Sequence, residues 1–184
     1  ERFGGSTSHE AVSISSDGTI FAASSKNASS NTGVVRVYQY LNNSWSQLGS
    51  DVTGNTAGEK FGHAVSLSSD GTIFAASSID VSSNTGVVRV YKKVTITTTG
   101  TATQGSAITV NISSLSHALS SGDIIKFSNG AILQLTSAAS LGATSLTGDL
   151  TTQNISNALE GIGWTKLGSD VTGNTVGERF GGST

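Results

Sequence analysis

Short runs in which apolar and polar residues alternate recur along the chain, and turns rich in Gly, Asn, Ser and Asp separate them. Two such runs, residues 11–15 and 20–24, flank the dipeptide Asp17-Gly18. Alternation with a period of two is typical of a half-buried β-strand, and Asp-Gly between two strands indicates a hairpin because glycine adopts positive φ without penalty. The pattern therefore predicts a β-hairpin with its turn at Asp17 and Gly18.

A third and a fourth run extend this hairpin into a predicted four-stranded antiparallel sheet, which we call a blade. Residues 34–38 are rich in β-branched side chains and end at Tyr38, and the fourth run begins at Trp45. The first blade is therefore expected to occupy residues 1–58.

The following residues repeat this order closely. The second copy has its predicted hairpin turn at Asp70 and Gly71, and its third strand ends at Tyr91, which lies 53 residues after Tyr38. A repeat this close within one chain makes the blade the unit of the architecture.

The fourth strand of the second blade is absent at this spacing and recurs much later, at Trp164. Trp45 and Trp164 are 119 residues apart, which exceeds the 53-residue blade spacing by 66 residues. The second blade is thus predicted to be split into residues 59–93 and 163–177, with an insertion at residues 94–162. A connection between two strands tolerates such an insertion when the ends of the inserted module lie close together.

The insertion also alternates, for example in residues 108–112 and 132–136, and is predicted to be a small β-sandwich or barrel-like module. An alternative for residues 154–159 is a helical turn. The predicted fold class is all-β: two four-stranded antiparallel propeller-type blades, forming an incomplete propeller or a stacked fibre array, with the inserted module between two strands.

One seven-residue segment occurs twice, since residues 1–7 return letter for letter as residues 178–184. The blade spacing, the insertion and a short extra loop in the first blade together account for the 177 residues between the two copies. We therefore expect the chain to be one period of a tandem array, with residues 178–184 as the start of the next repeat.

Composition narrows the function classes. Only 12% of the residues are charged, compared with about 25% in an average protein, and the net charge is −2. The chain lacks the basic surface that neutralises phosphates, which argues against nucleic-acid binding, and no apolar run approaches the ~18 residues that span a bilayer. Without cysteine, the chain has no disulfides and no thiolate chemistry.

The repeated unit resembles the FG-GAP-like β-propeller repeats of integrin α chains and of large bacterial and marine surface proteins. The resemblance rests on Phe61-Gly62, on Asp70-Gly71 and on residues 86–91, in this order, and it covers both blades but not the insertion. It implies four-stranded blades around an axis, secretion, and a role in adhesion or assembly. Two blades cannot close a propeller, which needs roughly four to eight.

Members of that family often carry a calcium loop with several aspartates, whereas each predicted turn here has one, Asp17 or Asp70. Calcium takes six to eight oxygen ligands, which a single carboxylate cannot supply. We therefore predict no cofactor, and a calcium site at these turns is doubtful.

Aromatic residues at equivalent repeat positions are the predicted packing anchors between units. A phenylalanine precedes glycine at each repeat start, and tryptophan and tyrosine recur in the strands: Phe3, Phe61, Phe180, Trp45, Trp164, Tyr38 and Tyr91. Sugar stacking is the alternative role of the two tryptophans, but packing is the commoner role of equivalent aromatic residues.

Candidate chemistry is sparse. The three histidines, His9, His63 and His117, have no cysteine or acidic cluster nearby in the sequence, and no Gly-x-Ser-x-Gly segment is present. We predict neither a catalytic nor a metal site. An acidic and a basic residue precede Phe-Gly at each repeat start, as in Glu59-Lys60, and we expect these pairs to be solvated or inter-blade ion pairs of little energy.

Four Asn-x-Ser segments are candidate N-glycosylation sites if a eukaryote secretes the chain: Asn27, Asn42, Asn111 and Asn154. Together, these features predict a non-enzymatic extracellular or cell-surface protein, structural or adhesive, whose partners are further copies of itself and, if it binds them, glycans, with no nucleic acid and no insertion into a membrane. The alternative is a carbohydrate- or receptor-binding module with the insertion as its head.

Overall fold

The computed structural model describes residues 11–81 and 84–182. The chain divides into two compact units, Glu1–Lys92 with Lys166–Thr184, and Lys93–Thr165. The regular secondary structure of both units is almost entirely β-strand, in antiparallel sheets, which confirms the predicted all-β fold class. The second unit, Lys93–Thr165, includes residues 94–162, which the sequence predicts to be the insertion.

The strands up to the insertion belong to the two blades. Their bounds are β1 (Val12–Ile14), β2 (Ile20–Ser25), β3 (Val34–Leu41), β4 (Ser44–Gln47), β5 (Val52–Thr53), β6 (Val65–Leu67), β7 (Ile73–Ser78) and β8 (Val87–Thr97). The predicted loop between β2 and β3 contains a four-residue helical segment, α1 (Ala28–Asn31), in which Ser29 and Ser30 have positive φ.

The remaining strands are β9 (Gly105–Asn111), β10 (Ile124–Phe127), β11 (Ile132–Leu135), β12 (Ser145–Thr151) and β13 (Glu160–Thr172). In the first blade the strand order is β1-β2-β3-β4, with β5 beside the start of β3. In the second blade the order is β6-β7-β8-β13, so its fourth strand follows the insertion in the sequence.

The two blades share one strand register. In the first blade Phe21 pairs with Ile14 on one side and with Tyr38 on the other. In the second blade, 53 residues later, Phe74 pairs with Leu67 and with Tyr91 in the same way. Because a shift of one residue would turn every side chain to the opposite face, identical register means that the two blades present equivalent faces.

The unit of residues 93–165 has a hydrophobic core of its own. Its strands β10, β11, β12 and β9 follow one another from β13, and their inward side chains include Ile125, Phe127, Leu133 and Leu146, all buried. Residues 154–159 form no helix; Ile155 makes an isolated antiparallel bridge to Ala102 instead. The helical alternative for this segment is therefore wrong, because its backbone hydrogen bonds are made to another segment.

Candidate blade-docking site

The start of the second blade runs along the backbone of the first blade. The Phe61 N–H donates to the Thr32 carbonyl oxygen at 3.0 Å, and the Lys60 N–H donates to that of Asn31 at 2.8 Å. Gly33 and Phe61 form a parallel β-bridge. We call this contact, made by residues 31–33, 54–56 and 59–62, the first joint.

Three glycines allow the close approach at the first joint. A Cβ atom on Gly33 would lie 2.1 Å from the Phe61 carbonyl oxygen, and one on Gly54 would lie 2.3 Å from that of Thr32. A Cβ on Gly62 would lie 2.6 Å from the Ser24 Cβ. Two of these distances are to backbone atoms, which cannot move aside, so only glycine fits at Gly33 and Gly54.

The same contact is built a second time further along the chain. The Phe180 N–H donates to the Thr85 carbonyl oxygen at 2.9 Å, and the Arg179 N–H donates to that of Asn84 at 2.9 Å. We call this contact, made by residues 84–86, 173–175 and 178–182, the second joint. Residues 178–182 therefore dock on the second blade as residues 59–62 dock on the first.

The glycines of the second joint repeat those of the first. A Cβ on Gly86 would lie 2.3 Å from the Phe180 carbonyl oxygen, and one on Gly173 would lie 2.3 Å from that of Thr85. A Cβ on Gly181 would lie 2.8 Å from the Cβ of Ser77. The two joints thus agree in backbone hydrogen bonds and in the positions where no side chain fits.

A buried carboxylate ties the first joint to the second blade. Glu59 Oε2 accepts the backbone N–H groups of Asn55 and Thr56 at 2.6 and 3.1 Å, while its Oε1 accepts the Ser78 hydroxyl at 2.9 Å and an N–H of Arg89. Both charged side chains are almost fully buried. A buried ion pair of this kind needs its remaining hydrogen bonds satisfied, as they are here.

Arg89 extends this network. Its Nε donates to Asp170 at 2.7 Å, and Asp170 also accepts from the Lys166 ammonium at 2.5 Å. The Arg89 guanidinium carbon lies 5.9 Å from the centre of the Phe61 ring, within the range of a cation–π contact. The second blade's own fourth strand therefore helps to hold the arginine that pairs with Glu59.

At Glu59 and Arg89, opposite charges and hydrogen bonds counteract the effect of burial on the pKa. Burial by itself would raise the pKa of Glu59, but hydrogen bonds from Arg89, Ser78 and Asn55 outweigh it and hold that pKa below its ordinary 4.5. Burial likewise opposes protonation of Arg89, yet its two carboxylate partners raise its pKa. Both groups are therefore charged at neutral pH.

Glu178 occupies the place of Glu59 in the second joint but is exposed. It accepts the Asn174 and Thr175 N–H groups at 2.6 and 3.0 Å, and these bonds lower its pKa. Glu59 and Lys60, expected to form a solvated or inter-blade ion pair of little energy, do not pair with each other. Glu59 is buried against Arg89, and Lys60, which has a positive φ, pairs with Asp80 at 2.6 Å.

The predicted phenylalanine anchors lie at these joints as far as they are described. Phe61 is fully buried and Phe180 is half-buried, whereas Phe3 lies outside the described residues. The Phe61 ring meets Tyr91 edge-on at 6.0 Å, and Tyr91 stacks on Phe74 at 5.1 Å.

The two predicted tryptophan anchors have different surroundings. Trp164 is 5% exposed, whereas Trp45 is 44% exposed and meets Phe21 edge-on at 4.8 Å and Tyr40 at 5.2 Å. Tyr38 is half-buried and stacks on Phe21 at 5.0 Å, as Tyr91 does on Phe74.

The predicted hairpin turns are two copies of one hydrogen-bonded loop. Asp17 accepts the Ser15 hydroxyl at 2.6 Å and the Thr19 N–H at 3.0 Å, and Gly18 has a φ of 72°. Asp70 makes the same bonds to Ser68 and Thr72, at the same lengths, with Gly71 at a φ of 69°. These hydrogen bonds lower the pKa of each aspartate to about 2.

The two described histidines, His63 and His117, belong to different units. His63 is buried beside the first joint, His117 is half-buried in the unit of residues 93–165, and His9 lies outside the described residues. Among residues 11–81 and 84–182, no three His, Asp or Glu side chains are grouped to hold a metal ion. The described part of the chain also contains no helix with the length and hydropathy to span a membrane.

All four asparagines of the Asn-x-Ser segments are exposed: Asn27, Asn42, Asn111 and Asn154. Asn42 lies in the tight turn between β3 and β4, with a φ of 51°, and Asn154 accepts the Gln104 N–H at 2.8 Å. Their glycosylation stays a prediction.

The first joint contains Gly33 and Gly54, and Arg89 pairs with its Glu59; the sequence pattern did not single out these residues for this contact. A signal for them existed, since Gly33 and Arg36 recur as Gly86 and Arg89 at the 53-residue spacing. The chain has 23 glycines, however, and recurrence alone does not separate those that touch another backbone from those in open turns.

No protein-family model matches this chain, and no curated protein matches it in sequence.

Proposed function

We propose that this chain is a non-enzymatic extracellular structural protein, one 177-residue period of a tandem array that assembles into a fibre or surface layer. The observation that carries this proposal is that the blade-docking joint is built twice, with equivalent backbone hydrogen bonds and with glycines at equivalent positions. A contact that recurs at a fixed place in each unit lets units be added without a new kind of interface, as in solenoid and propeller proteins.

The chemistry of the joint supports a mechanical role. Backbone-to-backbone hydrogen bonds run along the joint, its glycines leave no room for a side chain, and both oxygens of the buried Glu59 carboxylate accept hydrogen bonds from the chain. Such a site stabilises a contact between blades rather than binding a reactant. The likeness of the blades to FG-GAP-like repeats, which occur in surface proteins, agrees with this role and with an extracellular location.

The test is immunogold electron microscopy of the source cells with antibodies against the purified chain. The proposal predicts label along regular filaments or a surface layer outside the cell. Label confined to the cell interior would contradict it. An enzymatic turnover abolished by changing a single His or Asp would also overturn the proposal.

A second candidate function is carbohydrate or receptor binding by the inserted unit. It is favoured by the separate hydrophobic core of residues 93–165, which is typical of a module that acts on its own. A glycan array tests it: specific binding that is lost when exposed residues of this unit are changed would support this second function, and no binding by the intact chain would count against it.

A further inference from the structure

Each blade has two faces, and equivalent positions on these faces are buried to different extents in the two blades. In the first blade the face of Ala22, Val35 and Val37 is buried, whereas Val12 and Ile14 on the other face are 62% and 58% exposed. Cross-strand neighbours lie on the same face of a sheet, which places Phe21 and the exposed Trp45 with Ile14.

The second blade has the reverse pattern. Its Phe74 is fully buried, and Val65 and Leu67, the counterparts of Val12 and Ile14, are half-buried. On its other face Ala75, Val88 and Val90 are only half-buried, although their first-blade counterparts are completely buried. Each blade therefore exposes positions whose counterparts in the other blade are covered, although Ala23 and Val34 on the Ile14 side are buried in the first blade as well.

The two buried faces meet within the unit of residues 1–92 and 166–184. The Leu67 N–H donates to the Ser13 hydroxyl at 2.9 Å, and the Ser16 N–H donates to the Ser69 carbonyl oxygen at 2.9 Å. A Cβ on Gly71 would lie 2.6 Å from the end of the Ile20 side chain, which shows how closely the blades approach. The chain thus displays one complete contact between a first-blade face and a second-blade face.

We propose that a second copy of this chain docks head to tail, placing its open first-blade face on the open second-blade face of the first copy. We call these the Ile14 face (Val12, Ile14, Phe21, Trp45) and the Val90 face (Ala75, Val90). Val88, on the same side of the second blade, lies against Gly181 of the second joint and is not part of the docking face. A second copy fits these faces because equivalent residues, in the same strand register, already form this contact between the two blades of one chain.

The intramolecular contact also specifies hydrogen bonds for the intermolecular one. Ser66 occupies the position of Ser13 and is exposed, so its hydroxyl accepts the N–H of Ile14 of the second copy, as Ser13 accepts that of Leu67. Since the two docking faces differ, the contact is heterologous. Repetition of a heterologous contact gives a ring or a filament rather than a closed dimer.

This inference rests on the proposed function, and it is tested in solution with two complementary variants. Ile14→Arg blocks one face and Val90→Arg blocks the other, while Leu141→Arg, on an exposed residue of the other unit, is the control. In sedimentation velocity experiments, the average mass of the wild type and of the control should rise with concentration. Each blocked variant alone should stay at the 18.6 kDa of the monomer.

Mixing the two blocked variants gives the decisive result. Each retains the face that the other lacks, so an equimolar mixture should form a one-to-one heterodimer of twice the monomer mass and nothing larger. A wild type that stays monomeric up to near-millimolar concentration would overturn the inference. So would a dimer of Val90→Arg alone, which would mean that two Ile14 faces meet each other.

Circular dichroism spectra establish that the variants fold, and Val12→Lys replaces Ile14→Arg if that variant does not. The outcome is separable from that of the immunogold experiment. Failure of self-association in solution leaves an extracellular tandem array intact, whereas self-association of a protein confined to the cell interior would refute the extracellular role alone.

Discussion

Asp17 and Asp70 close their hairpins by accepting hydrogen bonds on both carboxylate oxygens, which requires the carboxylate to be ionised. Each accepts a serine hydroxyl, a threonine hydroxyl and a backbone N–H, which is three bonds to two oxygens. Hydrogen bonds to the charged form of an acid favour that form and so lower its pKa. The lone aspartate of the sequence motif is thus a turn-forming residue with its oxygens occupied by the loop itself.

Replacement of Ser68 tests this interpretation. Ser68→Ala removes the hydrogen bond with the largest effect on Asp70, so we expect the pKa of Asp70 to rise from about 2 towards its ordinary 3.8. Carboxyl ¹³C chemical shifts followed against pH measure it. Ser66→Ala, an exposed serine in the preceding strand, is the control and should leave this pKa unchanged. A pKa still near 2 in Ser68→Ala would show that other bonds suffice.

Glu59 is the residue on which the stability of the first joint should depend most strongly on pH. Its pKa is lower in the folded protein than the ordinary 4.5, so its contribution is fully present above that value and is lost as the pH falls through the folded pKa. Glu59→Gln should cost about 3 kcal/mol at pH 7, the lower end of the range for a broken buried ion pair, because Arg89 loses one carboxylate partner and keeps Asp170.

Urea unfolding of both proteins between pH 7 and pH 2.5 measures this effect. The difference in unfolding free energy between the wild type and Glu59→Gln should shrink as the pH falls below about 4.5. Glu178→Gln is the matched control, since Glu178 accepts the same backbone bonds but is exposed, and it should have a much smaller effect. If the difference in unfolding free energy between the wild type and Glu59→Gln did not change with pH, Glu59 would not be the group whose ionisation stabilises the first joint.

At the scale of elements, the joint between blades depends on one aromatic ring and three glycines. Phe61 is fully buried and packs against Tyr91 and Arg89. Phe61→Ala should lower the unfolding free energy by ~3–5 kcal/mol, as expected for a buried ring replaced by a methyl group. Phe180→Ala, at the half-buried counterpart, should cost less. A loss below ~1 kcal/mol for Phe61→Ala would remove this residue from the core.

Gly33 and Gly58 form a matched pair for testing the close approach. Both have positive φ, but a Cβ on Gly33 would meet the Phe61 backbone, whereas one on Gly58 would have nothing within 4 Å. Gly58→Ala should cost about 1 kcal/mol for backbone strain alone. Gly33→Ala should cost a further ~1–3 kcal/mol because of the clash. Denaturant unfolding measures both, and equal losses would mean that the joint tolerates a side chain.

Much of this element-level structure follows from the sequence. The alternation of residues 11–15 and the Asp-Gly dipeptides predicted the hairpins, and the 53-residue spacing predicted equivalent strands, with the fourth strand of the second blade displaced to Trp164. The partner of Glu59 did not follow, because Lys60 is adjacent in sequence while Arg89 is 30 residues away. In the structure Lys60 pairs with Asp80 instead, and Glu59 meets Arg89 across the second blade.

The opposite burial of equivalent positions was likewise beyond the sequence. Val12 and Val65 stand at the same place in two nearly identical strands, and nothing local distinguishes an exposed valine from a half-buried one. The difference arises because only one of the two faces has a neighbouring blade in this chain. The burial of equivalent residues therefore depends on whether a neighbouring blade is present, and the sequence of one strand does not contain this information.

At the scale of the whole molecule, the two joints are equivalent in their backbone hydrogen bonds and in their glycines. If residues 178–182 dock on the second blade as residues 59–62 dock on the first, the chain contains the rule by which units are added. The function proposed here, the array and the head-to-tail contact between copies all extend this rule.

Amide hydrogen exchange at Phe61 and Phe180 tests this equivalence most directly. Both N–H groups donate to a carbonyl of the preceding blade, so both should exchange far more slowly than in an unfolded peptide. Gly86→Ala should speed up exchange at Phe180 and Arg179 while leaving Phe61 and Lys60 protected, because it disturbs only the second joint. Unprotected exchange at Phe180 in the wild type would contradict the equivalence of the joints and, with it, the proposed mode of assembly.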